Sequence, residues 1–369
     1  MAGLWAEWQR IGPEVAAWQG AEPGRLTSVP HSIALSLRSS RVSPAGHRLF
    51  ALLGQSPAGL ATEDRAALLG DAAFAAEEGL LAVGLAYHRD GRLDLLPPVR
   101  DHARLRCPPE AADATAWCRH FLELTRLVGG RIGRDGGATA LTRLAPEVAN
   151  LDAALRAAAS LNLRDEGVDA LNGMARVLGA SGAGSVASIR ALAKECHAVN
   201  EERGEAECHY RAGTVLTGRS NYAAARAAHD QARQLFHELG AVRDEAYCIE
   251  SLGHIALARS DHAAARALYE QARPLYQQVG AVLGEANCIS AMGDIARAGG
   301  DTAAAKAPYV QALALYEQLH ATQNVALGHE NLARVTAGAE RAGHVAAARA
   351  AWASMDLPEQ VARVDREFG

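Results

Sequence analysis

Residues 248–272 read CIESLGHIALARSDHAAARALYEQA, and residues 288–312 read CISAMGDIARAGGDTAAAKAPYVQA, nearly the same text displaced by 40 positions. A more worn copy, CHYRAGTVLTGRSNYAAARAAHDQA, occupies 208–232. A cysteine, a glycine and a run of alanines thus return at a fixed interval. A metal cluster, a disulfide ladder and a stacked solenoid would each produce such a return, and the spacing chooses among them.

Subtracting 40 repeatedly keeps the register. Gly213, Gly253 and Gly293 align, as do Ala225, Ala265 and Ala305, and Ala232, Ala272 and Ala312. Phe236, Tyr276 and Tyr316 share one phase; Leu239, Val279 and Leu319 share another. Upstream, Gly173, Ile189, Leu192 and Val199 keep the phase in a degenerate copy. Downstream, Leu332 and Ala333 open another, continued by Ala346, Ala348 and Trp352 after a three-residue insertion. That makes about five units, enough for the mutual burial that such arrays need.

Each unit holds two helical patterns. Ile249, Leu252, Gly253 and Ala256 recur at steps of three and four, the period of an amphipathic helix. The break RSD follows, and Asp261 is placed to N-cap a second helix running to about Val279, where Gly280 stops it. Small residues at fixed points let two helices approach closely, while Leu, Tyr and Phe fill the gaps to the next pair. Stacked pairs of this kind build a superhelix with a concave groove. Packed helices lie ~8–10 Å apart, whereas a disulfide needs Cα atoms within ~7 Å. Cys208, Cys248 and Cys288 therefore read as small buried packing residues that mark the register.

These residues resemble the tetratricopeptide repeat. Its series of small side chains appears as Gly253, Ala265 and Ala272, with Leu252 before the glycine and Tyr269 as the packing aromatic. The 40-residue unit is longer than the usual 34, and the resemblance covers roughly residues 166–355. The first helix departs from the family in lacking a large aromatic near its start, where Ile249 and Ile289 stand. Pro274 and Pro308 fall inside second helices, where each removes a hydrogen bond and is expected to kink the helix.

The composition agrees with thin, closely packed helices. Of 369 residues, 49% are hydrophobic but only 5% aromatic, so the core is built from Ala, Leu and Val. A net charge of −5 offers no general attraction to nucleic acid or an anionic membrane. The start MAGLWAEWQRIGPE carries Glu7 and Arg10 where a signal peptide needs an apolar core. The longest apolar runs, such as 80–87, fall far short of the ~20 residues that span a bilayer. Six cysteines without a CxxC pair read as reduced thiols and a cytoplasmic location.

Before the repeats the chain changes character. Residues 26–53 hold two short helical patterns joined at Ser43–Pro44, and Thr62–Gly79 reads as two more, interrupted near Gly70. Leu80–Tyr87, the turn Arg89-Asp90-Gly91 and Leu93–Leu96 form a hairpin signal. With a final helix over Val99–Arg106 the order spells a winged helix. Residues 109–165 return to long helices, broken at VGGRIGRDGG.

This order resembles the C-terminal portion of signal-transducing NTPases with numerous domains, of the NB-ARC type with tetratricopeptide repeats. RLTSVPHSIALSL, RLDLLPPVRDHARLR and EVANLDAALRAA carry the resemblance. It implies an NTPase core acting in cis or in trans. Val99, Arg100, Asp101, Ala103 and Arg104 keep the family's Val-Arg-Asp-x-Ala-Arg run, but Leu95, Leu96 and Pro97 stand where Met-His-Asp senses nucleotide, so sensing is not expected here.

The sequence holds no phosphate loop of the form GxxxxGK[ST]; GASGAGS and GGRIGRDGG lack the lysine. Glu195-Cys196-His197 and Glu207-Cys208-His209 suggest zinc, but neighbours on a helix point about 100° apart, so a core reading is preferred. HExxH and GxSxG are missing as well. No catalytic residue, metal or cofactor is expected, and the chain is not read as an enzyme. The segment Thr62–Gly79 would hold a recognition helix, but it carries Glu63, Asp64, Asp71, Glu77 and Glu78 against Arg65 alone. Phosphate contacts need Lys and Arg, so a transcription regulator using the winged helix on DNA ranks as the alternative.

By the family's geometry the first helix of each pair lines the groove. The projecting positions are then Glu207, Tyr210 and Thr214; Tyr247, Glu250 and His254; Asn287, Ser290 and Asp294; and Glu330 and Arg334. They are polar, lean acidic and carry aromatic anchors suited to a protein or peptide ligand. The expected architecture is mainly α: a solenoid of about five helix pairs behind a small winged-helix domain with one β-hairpin. The expected segments are a helical leader (1–40), the winged-helix-like domain (41–106), connecting helices (107–165) and the solenoid (166–369). The expected role is a non-catalytic interaction or sensor module of a signalling system, with no membrane partner and nucleic acid ranked low.

Overall fold

In the computed structural model, residues 29–134 and 136–369 are described, so most of the expected helical leader lies outside the described residues. The chain forms two compact units. Among the described residues, one comprises 29–129, 142–170 and 183–188, and the other the described part of 130–141, 171–182 and 189–369.

In the first unit, α1 (Val29–Leu37), α2 (Pro44–Gln55), α3 (Thr62–Leu69), a 3-10 turn over Gly70–Ala72 and α4 (Ala73–Ala82) precede the hairpin. Pro44 opens α2 behind Ser43, whose hydroxyl accepts from the Gly46 amide. The centre of the unit is α2, which buries Leu49, Phe50, Leu52 and Leu53 against α4 and α5 (Pro97–Arg106). Gly54 permits that approach: a Cβ there would stand 2.9 Å from both Ala103 Cβ and the Arg104 amide. The hairpin is shorter than expected. Its strands are β1 (Tyr87–Arg89) and β2 (Arg92–Asp94), antiparallel about Asp90-Gly91, whose φ angles of 52° and 74° fit the turn expected of that pair. The apolar run from Leu80 is taken instead by the last turn of α4, where Leu80 is fully buried. Three residues of β-strand suffice because Leu60 bridges to Leu93 on the far side of β2.

The helices α6 (Ala111–Gly129), α7 (Gly137–Leu144) and α8 (Val148–Ala157) follow. Buried charge joins α3, α6, α7 and the hairpin. Asp64 accepts from Arg143 and lies 2.9 Å from His120 Nε2. Glu147 accepts from Arg92 at 2.5 Å, Arg143 at 2.9 Å and Asn150 at 2.8 Å.

α9 (Arg164–Ser181) and α10 (Ala187–Ala198) lead into the strictly periodic part. There α11 (Glu202–Gly218), α12 (Tyr222–Glu238), α13 (Val242–Ala258), α14 (His262–Gln278), α15 (Val282–Ala298) and α16 (Thr302–Gln318) are each 17 residues long. Linkers of three residues separate them, so the helices start every 20 positions and the 40-residue repeat is two of these steps. α17 (Thr322–Val335), α18 (Gly338–Ser354) and α19 (Pro358–Phe368) complete the chain. With α9 and α10 as the first pair, α11 to α18 make four more, and α19 closes the series.

One linker geometry recurs. Its middle residue is left-handed at Ser220, Gly240, Ser260, Gly280, Gly300 and His320, with φ between 51° and 83°. The next amide then reaches back across the helix end, as Ala241 to Phe236 at 2.8 Å and Asp261 to Ala256 at 2.9 Å. This is the C-terminal motif that satisfies the last carbonyls. Asn221, Asp261 and Asp301 then cap the second helix of their pair by accepting from the amide three residues on. The expected cap at Asp261 and stop at Gly280 are both present. Pro274 and Pro308 lie inside α14 and α16, which run unbroken at the same length as proline-free α12.

Each pair closes over a glycine. A Cβ on Gly253 would stand 2.8 Å from the Tyr269 ring, and one on Gly293 would stand 2.6 Å from the Tyr309 ring. At Gly213 the facing ring is His229, at 2.7 Å. Ala225, Ala265 and Ala305 are all fully buried, and Cys208, Cys248 and Cys288 are buried free thiols.

Candidate functional site

Successive first helices touch, α11 with α13 and α13 with α15, so their shared face forms the inner side of the stack. The residues singled out from the sequence fall there in three columns: Glu207, Tyr247 and Asn287; Tyr210, Glu250, Ser290 and Glu330; and Thr214, His254, Asp294 and Arg334. What the sequence did not show is how many of them are held by second-helix aromatics.

Tyr269 and Tyr276 project from α14 to α13. The Tyr276 hydroxyl donates to Glu250, which is 7% exposed, and the Tyr269 hydroxyl lies 2.8 Å from His254 Nδ1. Tyr247 packs edge-on against Tyr276 at 5.5 Å between ring centroids. The next pair repeats the device: Tyr309 donates to Asp294 at 2.7 Å and Tyr316 to Asn287 at 2.9 Å. Burial, together with the neighbouring carboxylates Glu250 and Asp294, pushes the Tyr269, Tyr276 and Tyr309 hydroxyls well above the usual range. They remain donors at every physiological pH. The inner face is thus fixed by two hydroxyls per pair.

The two ends differ. In the α11/α12 pair the equivalent aromatics are His229 and Phe236, and neither supplies a hydroxyl. His229 is fully buried, edge-on to Tyr210 at 5.5 Å, and neither ring nitrogen has a partner within the protein. Burial lowers its pKa to about 4. Tyr210 is half-buried beneath the Arg211 guanidinium, and burial raises its hydroxyl to about 12. Glu207 accepts from Arg211 at 2.7 Å, and Thr214 is exposed. Ser290 is half-buried. In the α17/α18 pair, Glu330 does not project. It is fully buried, accepting from the Trp352 indole at 2.7 Å and from Arg363 at 2.7 and 2.8 Å. Arg334 donates to Glu367 on α19 at 2.8 Å. The closing helix takes up both residues, and the open part of the inner face runs over α11, α13 and α15.

The suspected cysteine–histidine clusters separate as the helical angle requires. Cys196 and Cys208 turn inward as neighbours, and the Cys196 thiol together with burial pushes the Cys208 thiol up. His197 and His209 turn outward, 3.0 and 3.7 Å from opposite oxygens of Glu205. Among the described residues no three His, Cys, Asp or Glu side chains gather as metal ligands. In α3, Arg65 is buried; it pairs with Glu77 at 2.9 Å and donates to the Leu60 carbonyl. On the outer side of the repeats, grooves of about 440 and 540 Å³ lie between consecutive second helices. The larger opens where Ala228 replaces the bulkier Leu268. No described helix is long and apolar enough to cross a membrane.

Residues 243–318 match the tetratricopeptide repeat family. No curated protein matches the sequence. Among solved structures, the chain is similar to BtubC (BKLC) from P. vanneervenii (15% identity, 62% of this chain and 92% of that one, TM-score 0.45). It is also similar to a signal transduction ATPase with numerous domains that carries a tetratricopeptide repeat sensor, from Pyrococcus horikoshii (12% identity, 92% and 64%, TM-score 0.42). A third is a Rap protein complexed with competence and sporulation factor (11% identity, 83% and 94%, TM-score 0.39). The matched residues 243–318 span the two helix pairs α13 to α16, and the 20-residue spacing of those helices continues to α11 on one side and α17 on the other.

Proposed function

We propose that the repeats are a non-catalytic interaction module whose inner face receives a protein or peptide partner. The observation that carries this reading is the ladder of tyrosine hydroxyls. Tyr269, Tyr276, Tyr309 and Tyr316 fix the side chains of His254, Glu250, Asp294 and Asn287 in place. Glu250 is itself buried beneath this face, and the accessible side chains, His254, Asp294 and Asn287, have their rotamers already set, so they lose little conformational entropy on binding. Tyr210 and Tyr247, half-buried with their rings supported from behind, are the anchors that a partner's side chains would cover.

The partner class is protein or peptide, and an NTPase core in cis or in trans is the effector on which such binding would act. Five buried free thiols suit a reducing compartment, consistent with a cytoplasmic module. In α3 the charge of Arg65 is spent inside the fold on Glu77, which supports ranking DNA below protein.

The test is a quantitative pull-down with the full chain, comparing wild type, Tyr247→Ala/His254→Ala and the outer-face control Arg226→Ala. Partners that disappear with the double variant and persist with the control support the inner face. Recovery unchanged by the double variant contradicts it.

A further inference from the structure

Two histidines meet where α17 packs on α18. His329 Nδ1 and His344 Nδ1 are 3.1 Å apart, with ring centroids 5.3 Å apart and planes inclined by 35°. Packing of the repeat does not ask for a histidine here. One and two repeats earlier the position of His329 is held by Ile289 and Ile249, both buried. Both imidazoles are only half-buried and open to solvent. Two nitrogens bound to one ion at ~2.0–2.1 Å, at angles between 90° and the tetrahedral value, lie roughly 2.9–3.4 Å apart. The observed separation falls in that interval.

The surrounding charge favours a cation. The Glu317 carboxylate acts on His329 from α16. On α18, Glu340 sits one turn before His344 and pairs with the Lys306 ammonium of α16 at 2.7 Å, so that pair adds no net charge. Without a metal, one ring must carry its proton on Nδ1 and donate it to the other. With a metal, both rings carry the proton on Nε2, so a single tautomer shift through solvent prepares the site and no net proton is released.

We propose that His329 and His344 form a two-histidine clamp for a divalent first-row transition cation of the zinc, nickel or copper type, pinning α18 to α17. Imidazole nitrogen suits these ions, whereas magnesium and calcium prefer oxygen. No third protein ligand converges among the described residues, so water completes the coordination and the ion exchanges readily. Binding to the folded state alone stabilises it by mass action.

The test uses the full, tag-free chain, stripped with chelator and titrated with Zn²⁺ by calorimetry in a weakly coordinating buffer. Wild type is compared with His344→Gln and with His329→Ile, which restores the residue of the two preceding repeats and preserves the packing. The clamp predicts that each variant binds one equivalent of Zn²⁺ fewer than wild type, that excess Mg²⁺ does not displace it, and that Zn²⁺ raises the unfolding midpoint of wild type more than that of either variant. Equal stoichiometry in all three proteins, or displacement by Mg²⁺, overturns the proposal; counting equivalents against wild type separates this site from surface histidines elsewhere.

Discussion

His229 stands where the two following pairs place Tyr269 and Tyr309, pressed against the equivalent glycine but with no partner for either ring nitrogen. Its buried ring stays neutral down to about pH 4, while in the unfolded chain it takes a proton near 6.5. The unfolded state therefore binds more protons between these values, and stability falls as pH drops through that window. The contribution is complete above about pH 6.5 and amounts to about 3 kcal/mol, lost by pH 4. His229→Tyr restores the aromatic of the neighbouring repeats, so urea unfolding at pH 7 and pH 5 should show a smaller acid loss than in wild type. An equal loss would place the acid sensitivity elsewhere. Gly253 makes the complementary case. Alanine there gains ~1 kcal/mol of helix propensity but drives a methyl into the fully buried Tyr269 ring, an overpacking that costs about 1–3 kcal/mol. Gly253→Ala should destabilise, whereas Gly343→Ala, in α18 with open space around it, should stabilise by up to about 1 kcal/mol. Thermal unfolding of the two variants checks both signs.

The 20-residue cadence depends on one left-handed residue in the middle of each linker. Gly240, Gly280 and Gly300 take that conformation without strain, but Ser220, Ser260 and His320 do not. Ser260→Gly should relieve steric strain and stabilise by up to about 1 kcal/mol after the entropic loss is subtracted; a lower melting temperature would contradict this. At the closing end, Glu330→Ala leaves the Trp352 indole and Arg363 without their acceptor, at a cost of about 3 kcal/mol. Hydrogen exchange should then rise in α17 to α19 and leave α11 to α14 unchanged. At this scale the sequence was legible wherever the cause is local. The Asp261 cap, the Gly280 stop and the glycine–alanine columns follow from helix ends and close approach, which neighbouring residues dictate. The hairpin was overextended because an apolar run such as 80–86 serves a helix end as well as a strand. Glu330 was read as projecting because its column lies on the inner face, where Tyr210 and Ser290 are half-buried and Glu250 is already buried under Tyr276, and α19, which covers it, lies beyond the last copy of the repeat. The tyrosine ladder was hidden because a phenyl ring and a phenol fill the same core slot, as Phe236 and Tyr276 do. Only the distance across the pair shows which hydroxyl finds a partner.

Two compact units make up the chain, and the properties that join sequence to function lie in the periodic one. Thiol titration tests its packing as a whole. Five of six cysteines are buried, and burial pushes Cys118 to about 12 and Cys248 and Cys288 up as well. The native protein should offer one accessible thiol, half-buried Cys107, which reacts more slowly than a free thiol because burial raises its pKa, and the denatured protein all six. The proposed function turns on which face of the stack is touched. A photo-crosslinking residue placed at Tyr247 on the inner face, and in a separate protein at Arg226 on the outer face, reads this directly. Substantial crosslinking of a partner from position 247 and none from position 226 is the predicted result, and crosslinking from position 226 alone would contradict it.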